Sequence, residues 1–305
     1  MNYKLYKLEF TGGVHFGQRL LEDTDISFQA DTLFSALCQE AVKNGSLGKL
    51  LQLVKTDQML FSDAFPYMGK QYYLPKPFIW SRSKERDGDS KKKKTLKKMK
   101  YLPAELLEDY CHGEFPIEKA KNLQDLGNFQ MKTSVGIRGQ EDPQPYRVKY
   151  FRFKEGNGLY FLVGYQNTES EDFAEELIEM LSCSGIGGKR SSGLGRFEYR
   201  AYAVPDIILN KLNQFGSKYV LISSALPKDE ELDAVMEGAE YQLIKRSGFV
   251  ASVDYAPQQM RKKDLYVFRS GSTFCKTFQG DIWDVAAGGR HPVYRYAKGL
   301  FMGVV

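Results

Sequence analysis

Between residues 185 and 195 the chain reads GIGGKRSSGLG, in which five glycines, Gly185, Gly187, Gly188, Gly193 and Gly195, frame Lys189, Arg190, Ser191 and Ser192. Glycine tolerates positive φ and lets another backbone approach main-chain N–H groups, while Lys, Arg and Ser donate hydrogen bonds to phosphate oxygens. The pattern suits contact with a sugar-phosphate backbone, single-stranded nucleic acid above all. It equally suits a solvated helix-to-strand connection, with Ile186 and Leu194 as apolar anchors of two tightly turning ends. Glycine richness alone does not identify a nucleotide site, and two fingerprints fail. A P-loop needs G-x-x-x-x-G-K-[ST], but Lys189 is followed by Arg190 and Cys183 stands five residues before Gly188. A dinucleotide fingerprint would put its third glycine at Arg190 and would run strand, loop, helix, the reverse of the order here.

Two other stretches carry chemistry. Residues 129–153 read as a hairpin with a polar tip, and its cations Lys132, Arg138, Arg147, Lys149 and Arg152 outnumber its two acids. His15 sits in a glycine-flanked loop beside Phe16 and Arg19; Phe16 could stack on a base and Arg19 could pair with phosphate. An imidazole cleaves RNA only with a second base or a cation beside it, and the other histidines, His112 and His291, are far away in sequence. An RNA contact or a structural hydrogen bond is the better reading of His15. Acids offer no paired-carboxylate site: those at 169–179 and 229–233 cluster on two stretches that read as solvated helix faces.

The formal charge of +5 misleads, because residues 82–100 hold ten Lys/Arg against three Asp/Glu, a surplus of seven, and the rest of the chain sums to −2. Any nucleic-acid argument must rest on local charge. The run itself reads as a solvated insertion, with a nucleic-acid or partner contact as the alternative. Cys38, Cys111, Cys183 and Cys275 show neither CxxC nor Cys/His spacing, so neither a metal centre nor a disulfide framework is expected, and no cofactor. The N-terminus lacks a basic region followed by an apolar core, and no run of about 18 apolar residues occurs, so a cytoplasmic protein away from membranes is expected.

Hydrophobic periodicity supplies the elements that must position these residues. Residues 3–10 alternate as a half-buried strand; Asp31 can cap a helix presenting Leu33, Phe34, Leu37 and Ala41 on one face. Residues 158–165 are a continuous apolar strand, and 169–182 form an amphipathic helix ending at the glycine segment, which leads into the alternating strand 196–204. The order β-α-β-β-α-β, echoed in part after residue 213, predicts an α+β fold of tandem ferredoxin-like domains, 1–212 and 213–305, with a hairpin insertion. In the last hundred residues a second helix is hard to place.

The spacing G-h-G-x-x-x-x-x-G-h-G after a helix resembles the glycine-rich loop of the RAMP superfamily, the RNA-binding proteins of CRISPR systems. VHFG after the first strand, ADTLFSALCQEA, YYLPKPFIW and HPVYRYAKGLFMGV narrow the resemblance to the Csm-type (type III-A) branch, from about residue 3 to 305. It implies a RAMP, RRM-like fold and a subunit that holds the repeat-derived 5′ tag of crRNA without cutting RNA, beside a large Cas10-type polymerase-like subunit and an adjacent RAMP backbone subunit. A thumb-like hairpin, here about 128–147, would fold over the RNA. The resemblance also supplies the alternative: some RAMP-fold endoribonucleases keep a catalytic histidine where His15 stands, and would process precursor crRNA.

Overall fold

The computed structural model describes the chain apart from residues 18–19, 80–93, 95, 117, 119–122, 137–143, 253 and 305. Arg19, Arg138, the hairpin tip and most of the lysine-rich run lie outside the described residues.

The first half is built on strand β1 (Asn2–Phe10), which pairs antiparallel with β8 (Asn157–Tyr165) on one side and β9 (Phe197–Ala203) on the other. Strands β2 (Met59–Phe61) and β3 (Phe65–Met68) both pair with the far edge of β8, and β4 (Gln71–Pro75) and β5 (Tyr101–Pro103) extend the sheet. Helix α1 (Ala30–Lys43) joins β1 to β2 through the short helix α2 (Leu47–Lys55). A further helix, numbered α4 below (Thr168–Ser184), joins β8 to β9. The order β9-β1-β8-β2 with two crossover helices is the expected ferredoxin-like unit. Leu33, Phe34 and Leu37 of α1 and Leu177, Ile178 and Leu181 of α4 close the front core over Tyr6 and Leu8.

The back of this sheet is covered in part, so β1 departs at Leu5 from the half-buried pattern its alternation predicts, while Glu198, Arg200 and Tyr202 of β9 stay exposed. Leu5 is fully buried among Val220, Ile222, Met302 and Val304 of the second half. Lys7, on the same side, lies over the Tyr67 and Tyr72 rings at 4.3 and 4.8 Å.

After α3 (Leu107–His112), the long hairpin β6 (Gly127–Gly136) and β7 (Gln144–Phe153) forms its own two-stranded ribbon. The second half follows α5 (Asp206–Asn213): β10 (Lys218–Leu221), α6 (Asp229–Met236), β11 (Leu243–Arg246), β12 (Leu265–Phe268), β13 (Thr273–Phe274), β14 (Gly280–Asp284), β15 (Tyr294–Lys298) and β16 (Phe301–Val304). Its sheet runs β16-β10-β13, and a bridge from Glu240 to Thr273 adds a fourth position beyond β13. The order matches the first half. Where a second crossover helix would lie, between β13 and β16, the chain instead forms the β14–β15 hairpin. That hairpin packs on α1, with Ile282 and Tyr296 entering the front core.

Two expectations about charged residues change. Asp31 does not cap α1; it lies in the first turn, 5% exposed, and pairs with Arg246 at 2.7 Å and Arg295 at 2.5 Å. The cap comes from Asp63, whose Oδ1 accepts from Ala30 N at 2.8 Å and from Ser224 N at 2.8 Å, tying helix start to second half. The acidic face of α4 is partly neutralised within the chain: Lys4 bonds Glu171 and Glu175 at 2.7 and 2.9 Å, and Lys49 bonds Glu169 at 2.8 Å. Among the described residues no helix is long and apolar enough to cross a membrane.

Candidate nucleic-acid interface

Helix α4 ends where Gly185 turns to φ +75°, its N–H still bonded to Leu181 O at 2.7 Å. The loop then closes on itself through Ile186 N to Gly195 O at 2.9 Å, and Ile186, 1% exposed, plugs the front core. Residues Arg190–Ser192 form one 3-10 turn entered through Lys189 at φ +58° and left through Gly193 at φ +85°. Ser191, Ser192 and Gly193 are exposed; Lys189 and Arg190 are half-buried.

Most of the glycines are required by the protein itself. A Cβ on Gly187 would stand 2.8 Å from the His15 carbonyl oxygen, one on Gly188 2.7 Å from the His15 ring, and one on Gly185 2.9 Å from Gly195 O. At Gly195 it would run into the Ile186 carbonyl. Only Gly193 of the five faces open space. The spacing of the motif therefore measures how closely the loop after β1 approaches: Gly188 N donates to His15 O at 2.8 Å and Gly195 N to Gly13 O at 2.9 Å.

That same loop is gripped from the other side by β7. Val14 and Phe151 exchange both backbone hydrogen bonds at 2.8 Å, and His15 Nδ1 donates to Lys149 O at 2.7 Å. His15 is 5% exposed and Phe16 is 7% exposed, its ring against Phe10 and Phe28. Phe16 and Ile186 are thus packed in the core, with one side of each lining the cavity beneath the loop. The other ring nitrogen, Nε2, lies beside Gly17 and Gly188.

Three segments distant in sequence, residues 11–17, 146–151 and 185–195, meet here. Lys189 Nζ lies 4.7 Å over the Tyr146 ring, bridging loop to hairpin, a geometry in which a cation gains from the ring face. Arg190 turns inward to Gln39 Oε1 at 3.0 Å and Gly185 O at 3.4 Å, so it is a positioning residue. The hairpin register pairs Lys132 with Val148 and Thr133 with Arg147. Directly opposed residues share a face, which places Lys132 with Tyr146 and Lys189 but Arg147 on the reverse side. The reverse side also carries Phe129, Met131 and Val135, about half exposed. Tyr146 and Gln39 escape a reading that selects cations; the aromatic interleaving of PYRVKYF is the signal that marks Tyr146.

An antiparallel α+β unit with its glycine loop seated on the loop after its first strand, and a basic hairpin beside both, defines a RAMP-type protein. Residues 214–304 match the family model for the CRISPR Csm4 C-terminal domain. The chain is 40% identical over 307 residues to the CRISPR system Cms protein Csm4 of Mycobacterium tuberculosis (strain CDC 1551 / Oshkosh), covering 100% of this chain and 98% of that one. It belongs to the Csm4 family. In fold it is similar to a chain of the crystal structure of the Csm3–Csm4 subcomplex in the type III-A CRISPR-Cas interference complex, with TM-score 0.66, 16% identity and full coverage of both chains. A chain of the Csm1–Csm4 cassette in complex with cA4 gives TM-score 0.63 at 21% identity, over 100% of this chain and 98% of that one.

Proposed function

We propose that this chain is a non-catalytic RNA-binding subunit of a type III-A CRISPR ribonucleoprotein in antiviral defence. It anchors the 5′ repeat-derived tag of crRNA and docks a large Cas10-type subunit and an adjacent RAMP backbone subunit. The partners follow from family membership and from solved relatives described as a Csm3–Csm4 subcomplex and a Csm1–Csm4 cassette. The observation that carries the RNA reading is the junction of loop and hairpin. Exposed Ser191, Ser192 and Gly193 stand next to a lysine parked on Tyr146, and Lys132 shares that hairpin face. Phosphate contacts from Lys189 and Lys132 would fix register, and the serine hydroxyls would bond bases or 2′-OH groups.

Each lost charged contact costs on the order of 1.5–3 kcal/mol. Lys189→Ala with Ser192→Ala, leaving Arg190 to hold Gln39, is expected to weaken tag binding by about tenfold or more in the assembled complex. Unchanged binding sinks the proposal. The non-catalytic part is supported by His15, whose ring is buried and whose Nδ1 is committed to the Lys149 carbonyl. Incubation with repeat RNA tests it: specific cleavage that disappears in His15→Ala would establish the endoribonuclease instead.

A further inference from the structure

Beneath the glycine loop lies a cavity of about 320 Å³ lined by His15, Gly187, Gly188 and Arg190. It shares Gly17, Gln29, Thr32, Arg246 and Ser247 with a larger cleft of about 740 Å³ between the two halves, so the two spaces adjoin. The larger volume falls in the range of ligand clefts, roughly 300–1,000 Å³. We propose that this cleft is a second RNA-binding segment, which takes the single-stranded sugar-phosphate backbone as it leaves the glycine loop. The inference rests on the RNA-binding function proposed above and extends it to a surface that the motifs do not mark.

Charge carries the argument. Lys76, Lys97, Lys98, Lys245, Arg246 and Arg269 line the cleft. Arg246 is neutralised by Asp31 and Lys245 by Asp264 at 2.6 Å, while Lys100 takes Asp25 at 3.0 Å. Asp63, the other acid in the wall, is buried and already accepts from Ala30 N and from both donors of Ser224. Four cations are left over. Among the described residues Lys76, Lys97, Lys98 and Arg269 form no ion pair; Lys76 donates to Leu96 O at 2.6 Å and Arg269 to Gln242 Oε1 at 3.0 Å, both neutral acceptors. Burial, and then the charge of Arg269, lower the pKa of Lys76. Like charges gathered in a concave, part-desolvated wall are the electrostatic form of an anion site.

The wall and the hairpin face beside it narrow the anion to nucleic acid. Leu243 and Lys245 line the cleft, and Lys245 is paired across the β11–β12 ladder with Tyr266, so the three share one face of that hairpin. Tyr266 is 56% exposed and Leu243 48%. Cations and Ser247 in the wall, with the exposed Tyr266 ring on the adjoining hairpin face outside the lining, suit a polymer that alternates phosphate, ribose and base. The end of the lysine-rich run is part of this wall, although its composition reads as a solvated insertion.

The test uses the assembled complex with its tagged guide RNA and compares Lys76→Gln/Arg269→Gln with Lys189→Ala/Ser192→Ala by nuclease footprinting and by salt dependence of RNA retention. The cleft variant is expected to expose tag nucleotides that the loop variant leaves protected. It should also reduce the slope of log affinity against log salt by about 0.7 per lost phosphate contact. Lys76→Arg/Arg269→Lys, which restores charge, should restore the footprint. An unchanged footprint and slope in the cleft variant, with RNA lost in the loop variant, overturns the cleft and leaves the proposed function standing. No change in either variant overturns both. An unchanged footprint with release of a protein subunit assigns the cleft to an acidic segment of a partner and also overturns the proposal.

Discussion

The glycine loop and the cleft between the two halves both present cations, and they differ in what those cations are already bonded to. In the loop, Lys189 rests on an aromatic ring and Arg190 is spent on Gln39 and a carbonyl, while the glycines bring three segments of the protein together. In the cleft, four cations find among the described residues only neutral acceptors or none, and no glycine pattern surrounds them. A glycine-rich motif can therefore report on internal packing as much as on a ligand, and unpaired charge is the more direct sign of an anion's place.

Arg246 lines both spaces, and its ion pair keeps it out of the pool of free cations. Removing that pairing should give the largest effect. Asp31→Ala leaves Arg246 and Arg295 buried without a counter-charge and should cost about 3–5 kcal/mol in denaturant unfolding. Burial alone would raise the Asp31 pKa, but Arg246 and Arg295 hold it down at about 2. Since the folded value lies below the unfolded one, roughly 3.9, this contribution is complete above the unfolded value. It should fade as pH falls from there through about 2, seen as an acid-dependent loss of stability absent from Asp31→Ala.

The next effect separates packing glycines from exposed ones. Gly195→Ala places a methyl against the Ile186 carbonyl at φ +79° and should cost about 2–4 kcal/mol in thermal unfolding. Gly193→Ala, at φ +85° but facing open space, should cost only about 1 kcal/mol, the left-handed backbone penalty. Equal losses at the two positions would mean that the loop's glycines serve conformation alone and not close approach.

Much of this was legible in sequence. The alternation of residues 3–10, the amphipathic period of 169–182 and the apolar run 158–165 are strong local patterns, and all three lie in the elements they predict. Helix α2 and helix α5 were not read, since each is short and its apolar residues face neighbours that only the fold supplies. The burial of Leu5 depends on the second half covering the sheet, and the remote cap at Asp63 on a residue 33 positions from the helix start. The cleft is the extreme case: its free cations come from residues 76, 97, 98 and 269, and no window of sequence holds them together.

Tyr296 has a consequence for how the molecule is made. Its hydroxyl accepts from Phe61 N at 2.9 Å across a separation of 235 residues, and its ring packs on Phe34 and Phe61. A nascent chain carrying only the first sheet and its helices would expose those phenylalanines until the β14–β15 hairpin had been synthesised. Such long-range closure slows folding and leaves sticky intermediates waiting on the ribosome, so the early chain is a natural client for chaperones.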